Sequence, residues 1–122
     1  MPLTNLLDLP SERARLWPLS VEAYHALGEA GMIPERTELL YGFVFNKMPK
    51  SPIHSYLAER LRKLLELIVG SGFIVRTEQP ITIDTSEPEP DVAVIRGTHE
   101  DFKFAHPKTA ELVIEIAVSS ED

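Results

Sequence analysis

The 122-residue chain contains no cysteine. That single absence removes disulfides, thiol catalysis and thiolate zinc sites together, so any metal must be held by oxygen or imidazole. Long apolar runs are missing too, as is a basic start followed by an apolar stretch and a cleavage site. Both absences argue against a membrane span and an export signal and lead us to expect a cytoplasmic protein. Cations are scarce: 12 Lys and Arg face 19 Asp and Glu, for a net charge of -7. A protein that clamps nucleic acid through phosphates usually carries a basic stripe, so this balance argues mildly against tight DNA binding. An acidic metal cleft inverts its sign once a cation arrives, which keeps the question open. No lysine follows Lys108, and there are no internal repeats or low-complexity tracts. What is present, 43% hydrophobic and 25% charged residues, is ordinary for one soluble globular domain and excludes whole-chain disorder.

Residues 1–19 carry three prolines and read as an N-terminal arm. Residues 20–122 read as a single domain. Ser20 caps a short helix with Val21, Tyr24 and Leu27 at helical spacing, and Gly31 stops it. Glu38 to Tyr41 and Phe43 to Phe45 flank Gly42 as a strand pair or one bent strand. Glu38 is either an exposed strand-end acid paired with Arg36 or a site residue. Ser51 and Pro52 open the longest helix, whose stripe of Ile53, Leu57, Leu61, Leu64, Leu65 and Ile68 is expected to face the core up to Gly70 and Gly72. His54, in its first turn, is either solvated or set to reach a phosphate. Strands are expected at Phe73 to Glu78 and Ile81 to Asp84, on either side of Gln79 and Pro80. Arg96 to Pro107 reads as a polar loop; His99 and His106 are spaced wrongly for a zinc pair and belong to the surface.

The chemistry concentrates in Ser86-Glu87-Pro88-Glu89-Pro90-Asp91. Each proline withholds a ladder donor and pushes the residue before it into extended backbone, so regular strand begins only at Val92, with Asp91 at its mouth. Glu87, Glu89 and Asp91 share a period of two, roughly 7 Å between neighbours, close enough for repulsion that a divalent ion would relieve. For Glu87 and Glu89 a solvated acidic loop is the competing account. Glu115 interrupts the apolar run Leu112 to Val118, expected to be a central strand covered on both faces. An unpaired carboxylate buried there demands a partner, either a cation shared with Asp91 or an arginine such as Arg76.

An aspartate opening one strand and a glutamate in the next resembles the PD-(D/E)xK nuclease superfamily, with Pro90-Asp91 and Glu115 as the two acids. More closely, the chain resembles the Uma-two family of restriction endonuclease-like proteins. The likeness runs from Ser20–Gly31 through Glu38-Leu39-Leu40-Tyr41-Gly42, Ser51-Pro52-Ile53-His54 and Ser86 to Asp91, and ends at Val113-Ile114-Glu115-Ile116. It implies an α/β (α+β) restriction endonuclease-like core, a mixed, mostly antiparallel sheet flanked by helices, incomplete at its C-terminus. It further implies a metal-dependent DNA endonuclease hydrolysing phosphodiesters. Mg2+ or Mn2+ would be held by Asp91, Glu115 and the Ile116 carbonyl, with DNA as substrate and room for a homodimer. Glu38 would be a supporting acid, and His54 and Gln79 would line the cleft. The superfamily places a lysine two residues past the second acid, where this chain has Ala117, and the Uma-two pattern resembles others that supply it from a following helix, before which this sequence stops; a non-catalytic nuclease-fold module for dimerisation or nucleic-acid binding is therefore the competing expectation.

Overall fold

A computed structural model describes residues 8–118; the first part of the expected arm and the final residues 119–122 lie outside them. The described part of the arm contains a one-turn helix, α1 (Pro10–Arg13). Helix α2 (Val21–Glu29) begins where Ser20 Oγ accepts the Ala23 N–H at 3.1 Å, and Gly31 follows it at φ +74°. Strands β1 (Thr37–Leu40) and β2 (Phe43–Asn46) form an antiparallel hairpin. Its two-residue turn, Tyr41-Gly42, has positive φ at both positions, which matches the right-handed twist of the strands. A side chain at Gly42 would run into Pro18, so the arm packs on this turn.

Helix α3 (Pro52–Ile68) carries Ser51 as its cap and Pro52 at its first position, as the sequence dictates. The three-stranded antiparallel sheet follows: β3 (Phe73–Arg76), β4 (Val92–Arg96) and β5 (Leu112–Ile114), with β4 in the middle. A 3-10 turn at His99–Phe102 lies between β4 and β5. The fold class is therefore the expected one, with every described pairing antiparallel, in two sheets; an isolated bridge between Leu39 and Glu87 ties the hairpin to the segment that leads into β4.

The core explains why β4 is so apolar. Val92 and Val94 pack with Val75 against Ala58, Leu61 and Leu65 of α3, while Ala93 and Ile95 pack on the opposite face against Ile81 and Phe102. A strand covered on both faces loses the usual apolar-polar alternation. Burying each of its larger side chains contributes about 1.5–3 kcal/mol.

Three expectations change. Leu112 to Val118 is not a covered central strand: β5 stops at Ile114 at the sheet edge, and Leu112 and Val113 remain 44% exposed. The sequence cannot distinguish an apolar run covered on both faces from one merely lying on an edge. Ile81 to Asp84 forms no ladder strand. Ile83 and Ser86 exchange backbone hydrogen bonds around a turn with Asp84 at positive φ, so Pro80 and this turn divert the chain. Finally, the core face of α3 is Ala58, Leu61 and Leu65, with Val69 just past its end, whereas Ile53, Leu57, Leu64 and Ile68 are exposed. Two apolar stripes run along this helix, and the sequence period merges them.

Candidate metal centre

The prolines of the Glu87 to Pro90 segment leave few backbone groups to satisfy, and the structure pairs all of them. Glu87 exchanges both bonds with Leu39, the Pro88 carbonyl accepts from Ile81 N, and the Pro90 carbonyl accepts from Glu78 N at 2.9 Å. Between them, Glu89 N donates to Glu38 Oε1 at 3.1 Å and its carbonyl accepts from Lys47 Nζ at 3.1 Å. An extended segment held at every group has little freedom, and it delivers Asp91, 7% exposed, at a fixed place ahead of β4.

The ladder supplies the second acid. Val92 pairs with Ile114 at the last register position of β4 and β5, so Asp91 and Glu115 each stand one residue beyond that last pair, at the same end of the two strands. Like charges directly opposite are destabilising, and such pairs come close enough to feel each other fully. The two carboxyls lie close enough to shift each other's ionisation. Asp91 Oδ2 also accepts from Ile116 N at 2.7 Å and lies 3.1 Å from His54 Nε2. Burial works against the charged form of Asp91, but the Ile116 N–H, His54 and the Glu115 carboxyl outweigh it and hold the carboxyl below its ordinary value.

Glu115 takes the opposite course. Local withdrawal of its carboxyl from water, the neighbouring Asp91 carboxyl and the charge of Glu38 push it up to about 7, with Lys47 pulling the other way. The residue as a whole is open to solvent, because it stands one position beyond an edge strand. The sequence argument for a partner invoked deep burial; the operative cause is a second acid facing the first. Arg76 is not that partner. It lies buried beneath Phe102, both Nε (3.1 Å) and Nη2 (2.8 Å) donating to Gln79 Oε1.

The structure thus brings together Asp91, Glu115, the Ile116 backbone and His54, with Glu38 close enough to act on Glu115. Beside them a cavity of about 500 Å³ is lined by His54, Ile116, Met48 and Val118 among others. Gln79 is not brought to the acids, although its loop is tied to Pro90 through Glu78. Glu87 is not a solvated loop acid. It is 4% exposed, with Oε1 2.6 Å from His25 Nε2 and Oε2 accepting from Thr82 Oγ1 at 2.8 Å. Sequence reasoning missed His25 and Thr82, which nothing local marks, and Lys47, whose one signal is its position directly after a strand.

Among the described residues no group of three or more His, Asp or Glu side chains is arranged as a ready-made metal cage. The donor set nevertheless fits a hard divalent cation: two carboxyls contend for one proton, and the Ile116 main chain lies against them.

Residues 21–122 match the Uma2 family, described as "Putative restriction endonuclease". A solved structure, described as a putative nuclease belonging to DUF820 from Anabaena variabilis, superposes with a TM-score of 0.65 at 16% identity. The match covers 86% of this chain and 62% of that one, so the chain spans less than two thirds of that protein's length. No curated protein matches. Among the described residues no helix is long and apolar enough to cross a membrane.

Proposed function

The chain belongs to the Uma2 family, and from that premise we propose that it is a divalent-metal-dependent DNA endonuclease acting in the cytoplasm. The observation that carries this reading is the pair Asp91 and Glu115, two carboxyls just beyond the last paired position of β4 and β5 that act on each other's ionisation. Asp91, Glu115 and the Ile116 carbonyl would hold Mg2+ or Mn2+, and the ion would supply Lewis acidity and a bound water of lowered pKa.

The chain's own residues do the rest. The Ile116 N–H and His54 hold Asp91 ionised and oriented, so one acid is always ready as a ligand. Glu38 fixes the Glu89 backbone and thereby the approach of the segment to Asp91. His54 stands at the cavity and meets a substrate phosphate, its Nδ1 being buried with no partner among the described residues. Gln79, exposed on the loop tied to Pro90, holds Arg76 through its Oε1, and we give it a place on the substrate side only as a neighbour of this segment.

The test has two parts. Mg2+ or Mn2+ added to the wild type raises its melting temperature by mass action, and Asp91→Asn or Glu115→Gln abolishes the rise. Plasmid DNA incubated with the protein and Mn2+ is then nicked or cut. Metal binding without cleavage of any nucleic acid would leave the competing reading, a non-catalytic module. That second reading is favoured by Ala117 and by the apolar surface left open on β5 and α3, where Leu112, Val113, Leu64, Leu67 and Ile68 are exposed. It predicts concentration-dependent dimers by light scattering and unchanged DNA.

A further inference from the structure

Between β4 and β5 the chain carries Phe102-Lys103-Phe104, a group for which the acid pair has no use. Its footing is stiff. Thr98 N donates to Asp101 Oδ2 at 2.9 Å, and Phe102 packs into the core beside Ile81 and Ile95, with the Arg76 guanidinium 5.8 Å from its ring. Farther on, Thr82 N donates to the Pro107 carbonyl at 2.8 Å, which holds His106 and Lys108, on either side of buried Pro107, against the Thr82 segment. Between these anchors lies a cavity of about 420 Å³ lined by His25, Thr82, Lys103, Phe104, His106 and Lys108 among others. The chain has 19 Asp and Glu, yet none of the described acids lines this cavity. Glu87, which touches two of the lining side chains, is buried and has both oxygens taken, by His25 at 2.6 Å and Thr82 at 2.8 Å. Lys108 makes no ion pair among the described residues. Lys103 is held only by an exposed pair with Glu100, which is weak, and its ammonium stands 5.6 Å from the ring of Phe104, itself 93% exposed.

We propose that this cavity takes one unpaired nucleotide of a nucleic-acid strand, its base stacked on Phe104 and its phosphate against Lys108 and His106. A base has an aromatic face whatever its identity, so one exposed ring serves any sequence. The phosphate needs cations with no acid competing for them, and in this acidic chain the cavity supplies that. An acidic peptide would use the lysines and leave the Phe104 ring in water, whereas a strand uses both. The inference rests on the nuclease reading only in making that strand the substrate. Glu87, in contact with the cavity wall, stands four residues before Asp91. That is at most about 14 Å of chain, a span of a few nucleotides, so one strand can lie in the cavity and pass the acid pair.

The experiment follows fluorescence anisotropy of a labelled oligothymidine strand, and of a duplex of equal length, in EDTA at low salt, so that binding is read without cutting. The proteins are the wild type, Phe104→Ala, Phe104→Trp, Lys108→Gln and two controls whose side chains lie outside the cavity, Trp17→Ala and Lys63→Gln. Phe104 and Lys108 are both exposed, so their variants keep the wild-type melting temperature. We expect Phe104→Ala to bind the strand about tenfold more weakly, the scale of one lost base stack, and Phe104→Trp to bind at least as well as the wild type. Lys108→Gln weakens binding and lowers the slope of log K against log salt by about 0.7, the share of one phosphate contact. The controls match the wild type, and the duplex binds more weakly than the strand except to Phe104→Ala, where the preference vanishes. No strand binding by the wild type at about 50 mM salt overturns the proposal. So does a loss in only one of Phe104→Ala and Lys108→Gln, equal binding of duplex and strand, or a loss in Trp17→Ala as large as that in Phe104→Ala. Plasmid cleavage in Mn2+ is measured separately. A wild type that binds as expected and cuts nothing keeps the cavity and ends the nuclease reading; one that cuts while both cavity variants bind unchanged does the reverse.

Discussion

Glu87 and Asp91 stand four residues apart on one extended segment, both nearly buried, yet their surroundings differ in kind. Glu87 has each carboxyl oxygen met by a partner able to donate, His25 or Thr82, and no hydrogen bond or ion pair among the described residues sets a second acid against it. Asp91 is met by donors as well, but a second carboxyl is pressed against it. The first arrangement is closed and stabilising, the second holds a like-charge pair that only a proton or a cation relieves. Burial alone therefore does not mark a functional acid in this fold. What marks one is an unresolved neighbour.

The largest effect that would sharpen this contrast is on cleavage. Asp91→Asn and Glu115→Gln each lower the rate of plasmid cutting on the order of 10³-fold, whereas Glu87→Gln changes the rate at most through stability. Stability moves the other way round. Glu87→Ala strips His25 and Thr82 of their shared acceptor and costs about 2–3 kcal/mol in urea denaturation, with the Mg2+ response intact.

A pH profile of stability separates the two acids next. Glu115 is raised in the folded protein, so its contribution is present in full below its unfolded value near 4.5 and is lost as pH rises toward about 7. Asp91 is lowered, so its contribution is present above its unfolded value near 3.8 and is lost on acidification. Metal-free wild type should therefore lose stability between about pH 4.5 and 7 relative to Glu115→Gln, which carries no titrating group at that position. The smallest effect concerns the helix that presents His54. Ser51→Ala removes the acceptor of the His54 N–H at 3.2 Å and costs about 1 kcal/mol by thermal melting.

Local chemistry made much of this legible in advance. Ser20, Ser51 and Pro52 announce their helices through capping and fixed φ, and Pro90 before Asp91 sets where β4 begins. Glu115 is visible because an acid interrupts an apolar run. Its true setting is not visible, because whether a run lies at the centre or edge of a sheet depends on strand order, which no period encodes. The same holds for Glu87, whose partners come from residues 25 and 82, and for Lys47, which meets Glu89 across 42 positions. Acids were easy to notice among apolar neighbours, whereas a lysine after a strand looks like any other surface cation until the hairpin folds it inward.

The facing of Asp91 and Glu115 is tested most directly by calorimetric titration of Mg2+ into the metal-free protein at pH 6.5, repeated in two buffers of different ionisation enthalpy. The account predicts one ion per chain, bound with release of part of a proton from Glu115, and no such binding in Glu115→Gln. Binding that releases no proton, or that survives Glu115→Gln unchanged, would contradict it.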